Sequence, residues 1–233
     1  MSDTVSNIAA SLAAVRARIE AAAARAGRDP REVTLVAISK TNPAEAVREA
    51  MAAGQLVFGE NRIQEALPKI EAVGGAARWH LVGHLQSNKA RQAVGRFELI
   101  HSVDSVGLIH ELNERAAAAG LVQKILLQIN VSGEASKFGA PPEALGELLG
   151  AVACAPHLAA EGLMTIPPFT DDPETSRPHF IRLRGLLDAI PANAPLTARH
   201  LSMGMSDDFE VAIEEGATLV RVGTAIFGAR NYQ

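Results

Sequence analysis

Apolar, β-branched runs alternate with helix-patterned stretches along the whole chain. The runs Val33–Ser39, Leu56–Gly59, Arg78–Val82, Glu98–Val103, Ile125–Val131, Ala159–Met164, Arg199–Met203 and Leu219–Val222 predict eight strands. Between them, Ala44–Ala53, Arg62–Glu71, Ser87–Val94, Ser105–Ala119, Pro142–Ala153, Thr175–Ala189 and Asp207–Glu215 are rich in good helix formers and predict helices. Ser6–Ala26 predicts an extra helix ahead of the first strand. Asn42-Pro43 reads as a cap and a first-turn proline, and Gly54, Gly120 and Gly216 read as stops. Pro68 falls inside the second helical stretch and argues against its continuity. Strands alternating with helices imply parallel βαβ units, and eight such units imply a closed (β/α)8 (TIM) barrel, an α/β fold, with residues 1–233 as one domain. An open doubly wound sheet would need a glycine-rich first turn to hold a nucleotide; the turn Lys40-Thr41-Asn42-Pro43 has no glycine.

Composition narrows the function classes. The chain has 233 residues and is 48% hydrophobic, enough for a full core without staples. The net charge of -4 argues against nonspecific binding to nucleic acid or to an anionic membrane surface. One cysteine, Cys154, sits in an apolar helical stretch and reads as a small buried hydrophobe; it makes no internal disulfide, which fits a reducing compartment. Residues 1–25 are alanine-rich but broken by Asp3, Arg16, Arg18 and Glu20, unlike a signal peptide or a membrane span. A cytoplasmic protein is expected, with a monomer permitted.

Chemistry in a barrel belongs at the C-terminal ends of the strands. Lys40 ends the first strand. Following the apolar run Leu35–Ile38, it is either partly desolvated, which lowers its pKa and frees a neutral amine for a Schiff base, or it leaves the rim for water. Gly223-Thr224 ends the last strand: the glycine permits close approach of an oxyanion, and the hydroxyl and helix-start N–H groups complete an anion site. The loop Ser202-Met203-Gly204-Met205-Ser206 after strand seven has the same chemistry, and barrels often hold phosphate with these two loops; ordinary capped turns are the alternative. Arg221, inside an apolar strand, needs a partner, either a carboxylate within the barrel or a ligand. Asn61 follows the second strand. His80 and His84 are four residues apart but fall on strand and turn with no convergent carboxylate or cysteine, so no metal site is expected. The first and last strands of a closed barrel are neighbours, which sets the Lys40 amine beside a phosphate-sized site, the pair of features that pyridoxal 5'-phosphate requires.

These residues resemble one family. Ser39-Lys40-Thr41, Phe58-Gly59-Glu60-Asn61, the stretch from Trp79 to Lys89, Gly162-Leu163-Met164, the stretch from Leu201 to Asp208 and the stretch from Arg221 to Gly228 are similar to the motifs of the YggS/PROSC family of pyridoxal phosphate homeostasis proteins, over nearly the whole chain. The resemblance implies a barrel similar to the N-terminal domain of alanine racemase, with pyridoxal 5'-phosphate held as an internal aldimine on Lys40. It implies phosphate contacts from Ser202, Gly223 and Thr224 with Met203 and Ser206 nearby, Arg221 near the pyridine nitrogen, and Asn61 close to the ring. It implies a noncatalytic protein that buffers or delivers the cofactor to apo-enzymes and influences amino-acid and keto-acid balance. His84 is a departure, since many relatives carry proline there.

Two features of the chain bear on catalysis. A charged arginine at the ring nitrogen disfavours a pyridinium and weakens the ring as an electron sink, although alanine racemase uses the same device. A two-base racemase also needs a second acid/base. The one tyrosine, Tyr232, lies beside the C-terminus, and His80 or His101 are the remaining candidates. An amino-acid racemase with weak activity, and a Schiff-base aldolase acting on a sugar phosphate through the same lysine and anion site, stay open as alternatives.

Overall fold

The structure, a computed structural model, describes residues 8–134 and 136–228. After helix α1 (Ile8–Arg25) the chain runs β1 (Thr34–Ile38), α2 (Ala44–Ala52), β2 (Val57–Glu60), α3 (Ile63–Val73), β3 (Arg78–Leu81), α4 (Ala90–Ala93), β4 (Leu99–Val103), α5 (Val106–Ala118), β5 (Gln123–Gln128), α6 (Leu145–Ala153), β6 (Leu158–Met164), α7 (Arg177–Asp188), β7 (His200–Ser202), α8 (Phe209–Glu214), β8 (Leu219–Val222) and α9 (Thr224–Phe227). The strands pair in parallel in chain order, and β8 closes on β1 with Val36 opposite Arg221 and Ala37 opposite Val222. The expected (β/α)8 barrel is the observed one, with α1 as the extra helix.

Successive strand residues point to opposite faces, which gives two apolar layers. The outer layer joins strand residues such as Ala37, Phe58, Leu81, Ile100, Leu127 and Val220 to the buried stripes of the helices, including Leu112, Leu148, Phe180 and Phe209. Inside the barrel a smaller cluster holds Val36, Ile38, Val57, Val82, Leu99, Leu126, Met164 and Leu219. Helix α1 buries Ile8, Leu12, Val15, Ile19, Ala22 and Ala23, a stripe at helical spacing, and packs on α2, α8 and α9. Arg18 on its outer side pairs with Glu210 at 2.9 Å and lies over the Phe209 ring.

Local details differ from the sequence expectations for identifiable reasons. Helix α3 runs unbroken through Pro68, because Pro68 and Gln64, whose carbonyl the proline leaves without its helical donor, both face water. Pro43, not Asn42, is the N-cap of α2; Asn42 belongs to the preceding turn, where its side-chain amide donates to the Lys40 carbonyl at 3.1 Å. The stretch Ser87–Val94 is a 3-10 turn, Ser87–Lys89, followed by the short α4. Cys154 is exposed, not buried: α6 ends at Ala153 with its buried stripe on Leu145, Leu148 and Val152, and the C-cap position of Cys154 falls off that stripe. Tyr232 and the first residues of the expected N-terminal helix lie outside the described residues.

Candidate cofactor site

The register of the closing seam builds the site. Gly223 follows β8 beside the end of β1, so close that a Cβ added there would stand 3.3 Å from both the Cβ and the carbonyl oxygen of Ile38. Two residues past Ile38, Lys40 sits in a turn closed by the Asn42 N–H donating to the Ser39 carbonyl at 3.0 Å. Lys40, Asn61, Arg221, Gly223 and Thr224 all line one cavity of about 480 Å³ at the C-terminal end of the barrel, together with Ser206, Gln128, His84, Phe138 and Phe169. Asn61 is brought in by glycine: a Cβ on Gly83 would lie 2.1 Å from the Asn61 carbonyl oxygen.

The loop after β7 divides its labour. Ser206 Oγ accepts from the backbone N–H groups of Gly223 at 3.2 Å and Ala225 at 3.5 Å, so a hydroxyl and two N–H groups gather at the same wall. Asp208, not Ser206, steadies the loop by accepting the Met205 N–H at 2.7 Å. Gly204 turns with φ +89 where an added Cβ would meet Phe209 Cα at 2.9 Å. Ser202 and Met203 are fully buried and are not part of the cavity lining: Met203 packs in the outer core and Ser202 faces the barrel interior.

A polar chain runs through that interior. Arg221 Nη1 donates to Ser202 Oγ at 2.6 Å and Nη2 donates to the Thr165 carbonyl at 2.8 Å. Ser202 Oγ lies 2.9 Å from His101 Nδ1, and His101 Nε2 lies 3.0 Å from His80 Nδ1. An arginine only donates, so the serine accepts from it and keeps its one proton available for His101. With that proton on the serine–His101 contact, His101 carries its own on Nε2 and donates to His80. Burial pushes His80 down to about 4 and His101 well below its ordinary value, and it pushes Arg221 down to about 10, with Asp208 countering. At neutral pH the pair of imidazoles is neutral and the guanidinium charged. Arg221 therefore finds a hydroxyl and a carbonyl in the barrel where a carboxylate was one expectation.

The two histidines considered for metal binding part company. His80 is inside the barrel, whereas His84 stands at the rim, stacked on Phe138 with ring centres 4.0 Å apart. Asn130 shapes its own loop, accepting from Ser132 and Gly133 and donating to the Glu134 and Lys137 carbonyls. Sequence reading missed the cavity residues Gln128, Ile166, Phe138 and Phe169, the last two exposed aromatics on loops with no strand or helix periodicity to mark them.

The chain matches the family described as alanine racemase, N-terminal domain, over residues 10–231. It is 50% identical over 229 residues to the pyridoxal phosphate homeostasis protein of Pseudomonas aeruginosa, covering 98% of both chains. This chain belongs to the pyridoxal phosphate homeostasis protein family. Within that family, the structure of PipY from Synechococcus elongatus with pyridoxal phosphate bound is 40% identical, with a TM-score of 0.85 over 95% of this chain and 100% of that one. Alanine racemase from Corynebacterium glutamicum, 19% identical with a TM-score of 0.71, covers 94% of this chain and 62% of its own, and shows the shared barrel fold.

Proposed function

We propose that this chain binds pyridoxal 5'-phosphate covalently at Lys40 and acts as a noncatalytic carrier that buffers the cofactor and delivers it to apo-enzymes. The observation that carries this reading is that Lys40, Arg221, Ser206, Gly223 and Thr224 line one cavity. The donor set fits the group: an amine for an aldehyde, a cation for a ring nitrogen, and hydroxyls with N–H groups for a phosphate. Neutral Lys40 Nζ would condense with an aldehyde carbon, its two protons leaving with the carbonyl oxygen as water. Asn61, held by Gly83, faces the same cavity and would orient the ring. Arg221 would donate to the ring nitrogen and keep it unprotonated. Ser202 enters this scheme through Arg221, and Met203 as the packing beneath the loop. When bound, the cofactor would supply an electrophilic carbon from which an incoming amine can release the Lys40 amine.

Two observations favour a carrier over a racemase. His80 and His101, the residues available as a second acid/base, are buried in the barrel and hydrogen-bonded to each other. Relatives 44–50% identical over 95–98% of the chain carry the homeostasis name. Among the described residues no helix is long and apolar enough to cross a membrane; the carrier we propose is a cytoplasmic monomer with residues 1–233 as one domain. The test is the absorption spectrum of the protein with and without added pyridoxal phosphate, for the wild type and Lys40→Ala, followed by transfer to an apo-enzyme and an assay for amino-acid racemisation. A visible band that is absent in Lys40→Ala, with transfer and without turnover, is expected. No band in the wild type refutes the cofactor reading, and turnover refutes the carrier.

A further inference from the structure

A buried ion pair stands behind the cavity wall, between β1, β2 and α3. Lys69 Nζ lies 2.6 Å from Glu60 Oε1, with the two side chains 9% and 0% exposed. Both partners also grip Ser39: its hydroxyl donates to Glu60 Oε1 at 2.7 Å, and Lys69 Nζ donates to its carbonyl at 2.7 Å. Ser39 is the residue before Lys40 and Glu60 the residue before Asn61, so the pair tethers the two chain segments that bring both side chains to the cavity. The other carboxylate oxygen, Glu60 Oε2, is buried without a hydrogen-bond partner among the described residues.

The turn under this grip is strained. Thr41 has φ +66, the left-handed region that a β-branched residue avoids, and among the described residues it is the one non-glycine with positive φ. With Ser39 as the first residue and Asn42 as the last, Thr41 occupies the third position of a turn where glycine is the usual occupant. Its hydroxyl donates to the Lys40 carbonyl at 2.5 Å. A buried ion pair is a poor stability device, since apolar residues of the same volume serve as well, and strained backbone persists only where its surroundings over-determine it. The two features flank the lysine, one at Ser39 and the other at Thr41.

We infer that Glu60 and Lys69 are positioning residues, which hold the strained Ser39–Asn42 turn in the conformation that presents Lys40 to the cavity. The inference deepens the cofactor reading, on which its role in binding rests. Without the grip, Thr41 relaxes to negative φ and the lysine is presented elsewhere. Neither Glu60 nor Lys69 touches the ligand in this scheme.

The test separates presentation of Lys40 from binding of phosphate and from folding. Because Lys69→Met alone leaves a buried charge unpaired, the informative variant is Glu60→Gln with Lys69→Met, which neutralises both. Three measurements are made on full-length protein: the rate at which the visible band develops on mixing with pyridoxal phosphate; competition by inorganic phosphate; and the rate of Lys40 carbamylation by cyanate in ligand-free protein, read by peptide mass mapping and normalised to Lys124 at the opposite end of the barrel. The double variant is expected to slow band development at least tenfold and to change Lys40 labelling at least threefold, with phosphate competition within twofold of wild type. Adding Thr41→Gly, which makes positive φ cheap, is expected to restore most of the rate. Band development and Lys40 labelling both within twofold of wild type would overturn the inference, as would failure of Thr41→Gly to restore any rate. Absence of a band in wild type would refute the cofactor reading while the labelling still decides the clamp. Should the double variant not fold, Glu60→Gln alone, in which Lys69 keeps the Ser39 carbonyl as its acceptor, is measured by the same labelling and the same criterion.

Discussion

Acidification to pH 5 should destabilise this barrel far more than its surface charges would suggest, through the two imidazoles in its interior. An unfolded histidine takes up a proton around 6.5, whereas His80 in the folded barrel does so only near 4. The unfolded state therefore binds more protons between these values. The histidine contribution is fully present above about pH 6.5 and is lost as the pH falls toward about 4. At pH 5 the unfolded imidazole is nearly all protonated and His80 nearly all neutral, a factor of roughly 30 in the folding constant, or about 2 kcal/mol. Burial holds His101 well below its ordinary value too, so its contribution runs in the same direction and the pair loses at least the His80 share between pH 7 and pH 5. That is a sizeable part of the stability of an ordinary domain, about 5–15 kcal/mol. Carboxylates held low by arginines, Glu98 by Arg78 and Glu214 by Arg177, give up their charge below this window and do not mask it. The assay is urea unfolding at pH 7, 6 and 5, with His80→Asn, which keeps an acceptor for His101 Nε2 but does not titrate, expected to lower the loss between pH 7 and 5 by about 2 kcal/mol. Unfolding free energies that differ by less than about 1 kcal/mol between pH 7 and 5, or a His80→Asn slope equal to wild type, would refute the reasoning.

Other substitutions separate the site from the scaffold. Gly83→Ala sets a methyl 2.1 Å from the Asn61 carbonyl, and should weaken pyridoxal phosphate uptake measured by absorbance while lowering stability by about 1–3 kcal/mol, as overpacking does. Ser206→Ala removes the hydroxyl that faces Gly223 and Ala225; the loss of about 1 kcal/mol should appear as a roughly fivefold weaker affinity for the phosphorylated cofactor and no change for pyridoxal lacking the phosphate, measured by titration. Leu12→Ala on α1, at a fully buried position, should cost about 2–5 kcal/mol in thermal or urea unfolding and leave the spectrum of the bound cofactor unchanged.

The legible part of this molecule is what depends on chain order. Eight apolar runs separated by helical stretches specify the barrel, and the barrel then brings Lys40 beside Gly223 and Thr224 without further information. Asn61 and Arg221 were legible as polar residues at strand ends, and the structure brings both to the cavity. What stayed hidden depends on side chains meeting across the interior or behind it. Nothing in the sequence links His80 to His101, or either to Ser202, because strand residues twenty and a hundred positions apart share only a register that the closed sheet creates. Nothing in the sequence links Lys69 on α3 to Glu60 on β2 either, because only packing brings the two together and buries both. The exposure of Cys154 was hidden for a smaller reason, since one residue of uncertainty in where α6 ends decides whether its side chain faces the core or the solvent.

The seam between β1 and β8 makes ligand competence a property of the completed chain. In the proposed site the amine follows the first strand and the phosphate contacts follow the last, so no folding intermediate that lacks either end possesses both halves. On that reading a nascent or truncated chain lacks the site, and only the finished barrel has it. A molecule bound there would in turn bridge the segments that follow β1 and β8, resisting separation of these two strands.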